Sequence, residues 1–80
     1  MKDPYIDKIY KQVYPEKNKS DDVLIYRIVK RIRKTKYNYE GIVLFSKYHT
    51  LQKGSDCFRD RHGLESLKPL SEDEVWVYMI

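Results

Sequence analysis

The chain has 80 residues, 41% of them hydrophobic and 35% charged, with 3 Gly and 3 Pro; this excludes a disordered, collagen-like or low-complexity polymer and gives room for one domain, residues 1–80. Lys and Arg total 16 against 12 Asp and Glu, a formal net charge of +4, which points toward an anionic partner. The lone cysteine, Cys57, excludes a disulfide-stapled secreted mini-protein and fits a reducing, cytoplasmic setting.

Met1-Lys2-Asp3-Pro4 opens no apolar leader, and the uncharged apolar run Ile42–Phe45 is far below the roughly 20 residues of a membrane span, so neither a secretory signal nor membrane contact is expected. From Asp3 to Tyr14, residues Tyr5, Ile6, Ile9, Tyr10 and Val13 recur at helical spacing, with Asp3 as N-cap, Pro4 in the first turn and Pro15 as a stop. Ser20 opens a second amphipathic segment with Asp21 and Asp22 in its first turn and an apolar stripe of Leu24, Ile25, Ile28, Val29 and Ile32. The two read as an αα-hairpin across the polar turn Pro15–Lys19.

The second half reads differently. Gly41–Leu51 contains Ile42, Val43, Leu44 and Phe45, a β-branched and aromatic run that suits a buried strand ending near Ser46. Gln52–Lys68 reads as loop, with a short helical turn at Asp56–Arg61. At the C-terminus two signals conflict. Ser71 and Glu74 match a capping box with Leu70 and Val75 as its staple, whereas Val75-Trp76-Val77-Tyr78-Met79-Ile80 is a strong β-propensity run without a polar face. The second signal is given the greater weight, so the expected fold is α+β: an N-terminal amphipathic αα-hairpin packed on a small β-sheet that includes the C-terminal strand. An all-α small bundle is the alternative.

The basic cluster Arg27, Lys30, Arg31, Arg33, Lys34 and Lys36 puts six positive charges in ten residues with no acid among them. Residues 1–37 carry 11 basic and 5 acidic side chains, a net of +6, and 38–80 carry 5 and 7, a net of −2. On a helix whose Ile28, Val29 and Ile32 turn inward, these cations form one electropositive face. Such a face attracts phosphates, and Tyr37 and Tyr39 just beyond it are placed to stack on an exposed base or sugar. A cationic helix end is also favoured by its own dipole, and an acidic protein would be drawn to the same surface. The turn Tyr14–Lys19 is too long for a standard helix-turn-helix.

Catalysis has little support. Cys57 and His62 lie close in sequence beside Asp56 and Asp60, but a lone cysteine next to Phe58 suits a small buried hydrophobe. His49, Cys57 and His62 lack paired zinc spacing, and the common nucleotide-binding and hydrolase motifs do not occur. The expectation is a small non-enzymatic binding protein with no cofactor or metal, a phage or mobile-element regulatory protein by class. Its partner is nucleic acid or, alternatively, an acidic protein in an interaction or inhibitor role. The acids Glu72, Asp73 and Glu74 either cap a helix or pair with the basic segment of the same or a second copy, and a terminal edge strand would support a homodimer.

Overall fold

Both segments that sequence spacing assigns to helices are strands. The computed structural model describes residues 3–15, 17, 20–33, 36–48 and 52–79. Its strands are β1 (Ile9–Tyr14), β2 (Asp22–Arg31), β3 (Tyr39–Ser46), β4 (Asp56–Arg59) and β5 (Pro69–Leu70), and its helices are α1 (Arg61–Glu65) and α2 (Glu72–Met79). The strands form one sheet in the order β4-β3-β2-β1-β5, every neighbouring pair antiparallel. Among the described residues there is neither an N-terminal helical hairpin nor an all-α bundle.

The reason lies in how β2 is buried. It pairs with β1 on one edge and β3 on the other, and Ile25, Tyr26 and Ile28 are completely shielded from water. A strand covered on both faces carries apolar side chains at successive positions, so the usual alternation disappears. A bulge completes the disguise: Ile28 lies opposite Gly41 and Lys30 opposite Glu40, leaving Val29 as the extra residue. With the pleat shifted by one at Val29, residues 24, 25, 28, 29 and 32 fall into helical spacing without being helical. The β-branched content of the run is the cue that agrees with the fold.

Cross-strand partners share a face, which divides the core in two. On one face Tyr10, Leu24, Tyr26, Ile28, Val43 and Cys57 pack with Tyr39 and with Leu64 of α1, and Tyr5, Ile6 and Leu67 close over them. The segment before β1 is therefore a turn: the Tyr5 N–H donates to Asp3 Oδ1 at 2.9 Å, and Asp7 sits in the left-handed region at φ 67°. Asp7 N–H and Lys8 C=O then continue the pairing with Ile28 at 2.8 and 3.0 Å. On the other face α2 lays Val75 and Tyr78 over Ile9, Ile25, Phe45 and Leu70.

The C-terminal run is a helix because its local start signal is fulfilled. Ser71 Oγ accepts the Glu74 N–H at 3.3 Å, and the Ser71 N–H donates to Glu74 Oε1 at 3.2 Å. These bonds from Ser71 hold the exposed Glu74 carboxyl below its ordinary value. The place beside β1 is taken at Ile9 and Tyr10 by β5, and the terminal run expected as an edge strand supporting a dimer is instead α2. The strand expected from Gly41 to near Ser46 is present as β3. Asp56–Arg61, expected as a helical turn, divides into β4 and the start of α1. No helix among the described residues is long and apolar enough to cross a membrane.

β3 depends on Gly41. A Cβ there would stand 2.8 Å from the Arg27 carbonyl oxygen and 3.1 Å from Cys57 Sγ, and the backbone atom cannot swing aside. Gly41→Ala is expected to destabilise the protein by about 1–3 kcal/mol, measured as a lower urea midpoint.

Candidate functional site

β2 and β3 are joined by a hairpin whose end gathers the basic cluster. The Ile32 N–H donates to the Asn38 carbonyl at 2.8 Å, and the Asn38 N–H donates to the Arg59 carbonyl at 3.2 Å. Arg31 lies opposite Tyr39 and Lys30 opposite Glu40, so these two adjacent strand residues point to opposite faces. Lys30 Nζ is 3.3 Å from Glu40 Oε2. Arg31, Arg33 and Lys36 are exposed, and Lys34 lies outside the described residues.

Two recesses meet at Asn38. Arg31 and Arg33 line one with Ile32, and Lys36, Arg61 and His62 line the other with Asp60 and Glu65. Asp60 accepts the Gly63 N–H at 2.7 Å, Asn38 Oδ1 accepts the Arg61 N–H at 3.0 Å, and Arg61 pairs with Glu65 at 3.3 Å. Among the described residues, no carboxylate lies within ion-pair distance of Arg27, Arg31, Arg33 or Lys36. None of the four is neutralised by an ion pair, although the Asp3 carboxylate lies close enough to Arg31 to feel its charge.

The two tyrosines expected to stack have different fates. Tyr37 is half-buried, its ring 6.1 Å from that of Phe58 with Lys36 Nζ 5.6 Å from its centroid. Tyr39 is buried, edge-on to Tyr5, and its hydroxyl donates to Asp3 Oδ2 at 2.7 Å. It belongs to the core and offers no free face. Burial works against the Asp3 charge, but the Tyr5 N–H and the Tyr39 hydroxyl outweigh it and hold the carboxyl below its ordinary value.

A second polar cluster lies on the Tyr26 face. Arg59 reaches across the sheet from β4, its guanidinium 4.6 Å from the Tyr26 ring centroid. Its Nε donates to Gln12 Oε1 at 3.1 Å and one terminal nitrogen to the Tyr14 hydroxyl at 3.2 Å. The Tyr26 hydroxyl donates to the same Gln12 oxygen at 3.3 Å. Burial opposes the Arg59 charge, but the Tyr26 and Tyr14 phenols outweigh it and raise its pKa. The cluster fastens an edge strand to β1.

Cys57 is buried against Gly41, and burial pushes its thiol up, away from the thiolate a nucleophile needs. His62 is exposed on α1, and His49 lies outside the described residues. No group of three or more His, Cys, Asp or Glu side chains among the described residues is arranged to hold a metal.

Sequence spacing missed a cleft of about 300 Å³ between α2 and the sheet, lined by Ile9, Arg27, Glu72, Val75 and Trp76. The capping box was its available signal, because a helix starting at Ser71 that turns Val75 and Tyr78 inward leaves Trp76 and Val77 outward. They are 64% and 77% exposed. No family model matches this chain, nor does any curated protein or solved structure.

The phenols supply a pH test. Burial, the larger effect, pushes Tyr26 up to about 12; burial and the Asp3 carboxylate do the same for Tyr39. Unfolded tyrosines ionise at about 10, so these contributions are intact below pH 10. They are lost between about 10 and 12, where the unfolded chain gives up protons that the folded one keeps. Urea unfolding free energy should fall over that window, by on the order of 2 kcal/mol for Tyr26 alone, and Tyr26→Phe should flatten the fall.

Proposed function

We propose that this chain is a non-enzymatic nucleic-acid-binding protein that grips the phosphate backbone with the hairpin end of β2 and β3. The observation that carries the reading is the recess shared by Arg31 and Arg33, two exposed guanidiniums that form no ion pair among the described residues, the Asp3 carboxylate acting on Arg31 only from a distance. A guanidinium presents a planar fork of donors that matches phosphate oxygens, and two forks at one recess suit consecutive phosphates better than a single anion. Lys36 extends the cationic surface along the same hairpin, and Arg27 and Lys30 continue it on the α2 face. Lys30, already paired with Glu40, has the weaker claim to a phosphate.

Contact with phosphates releases condensed counterions, so affinity falls steeply with salt. Labelled DNA and RNA oligonucleotides titrated at low and moderate salt should bind with a clear salt slope. Arg31→Ala with Arg33→Ala should lower that slope by about two and weaken binding about tenfold or more at low salt, since each lost phosphate contact removes roughly one from the slope. Failure of every oligonucleotide to bind at low salt would overturn the reading and turn attention to an acidic protein as the occupant of the same surface.

A further inference from the structure

The cleft beside α2 carries chemistry that a phosphate grip does not use. Trp76 is 64% exposed, an unusual cost for the largest apolar side chain. The sheet beneath α2 is occupied by Val75 and Tyr78, and the indole instead borders the cleft. Ile9 and Val75 add apolar surface, while Arg27 and Glu72 bring opposite charges to the same space without forming an ion pair with each other. The volume, about 300 Å³, is at the small end for ligand sites.

We propose that this cleft seats a single unpaired nucleobase, which makes the preferred ligand single-stranded DNA or RNA. The inference rests on the phosphate-binding reading above and adds the form of nucleic acid. An aliphatic side chain entering here would leave Arg27 and Glu72 desolvated without partners, an acidic group would face Glu72, and a basic group would face Arg27. A base answers all the walls at once. Its face stacks on the indole, a ring nitrogen or carbonyl accepts from the guanidinium, and in adenine, cytosine or guanine the exocyclic amine donates to the carboxylate.

Placement supports the assignment. Arg27 and Lys30 point from the same face of β2, about 10 Å apart at the rise of a strand, so a strand whose base occupies the cleft can run its phosphates toward the cationic hairpin. In a duplex that base is paired and stacked, and reaching the cleft would require it to be flipped out.

Trp76 is the chain's one tryptophan, so its emission reports directly on the cleft. Titration of the intact protein with single-stranded DNA and RNA oligonucleotides should change that emission with the same midpoint as anisotropy of the labelled strand. A duplex of equal length should bind about tenfold or more weakly and leave the emission unchanged. Trp76→Ala should weaken single-strand binding roughly 5- to 100-fold, the range of one base–aromatic stack, without altering duplex binding or the circular dichroism spectrum. Val77→Ala, on the same helix but outside the cleft, should change nothing. Equal binding of single strand and duplex with unmoved emission would overturn the base seat and leave the phosphate grip standing. No binding of any oligonucleotide would overturn both.

Discussion

The structure depends on one constraint: β2 is buried on both edges and both faces. Its edges are satisfied by β1 and β3, whose backbone groups complete its ladder. Its faces require two separate covers. Tyr5, Ile6, Leu64 and Leu67 supply one, and Val75, Tyr78 and Leu70 the other. Each fully buried side chain of this size contributes about 1.5–3 kcal/mol, so Ile25, Tyr26 and Ile28 together outweigh any single surface interaction in the molecule. Short helices suffice as covers because they need only mask parts of a narrow sheet.

Tyrosine is the residue that allows so small a chain to build this core. Tyr10, Tyr26 and Tyr39 fill space as phenylalanine would, and the Tyr26 and Tyr39 hydroxyls are placed where an acceptor meets them. Asp3 receives one and Gln12 the other, so polar atoms carried inward stay hydrogen-bonded. Arg59 extends the same logic. Among the described residues it has no carboxylate within ion-pair distance, yet a ring face, an amide oxygen and a phenol surround its guanidinium. That environment resembles a hydration shell more than a salt bridge, and it links β4 to β1 across the intervening strands.

The same constraint sorts the charges. Of the basic cluster, Arg31, Arg33 and Lys36 lie where the strand runs out, beyond its buried residues. Arg27 emerges from within β2 on the second face, at the cleft beside α2. Strand alternation separates Lys30 from Arg31, and the bulge at Val29 sets which face each takes, the first toward Glu40 and the second toward the recess at Asn38. A feature that looks like one helical face in the sequence is thus two surfaces joined around a sheet edge.

Some of this was legible in the residues alone. The strand through Ile42–Phe45 follows from β-branched and aromatic content, whereas the terminal run, read as a strand from its β-propensity, is a helix whose capping-box bonds form. The density of cations from Arg27 to Lys36 is a property of the chain whatever its fold. The first half, read from its spacing as an αα-hairpin, is strands, and the terminal run, read as a strand, is a helix. Double-faced burial erases alternation, a bulge imitates a helical repeat, and whether Trp76 lies in a core or in water depends on which partner already occupies the edge of β1. Those outcomes are set by contacts between segments tens of residues apart, and local propensity has no access to them.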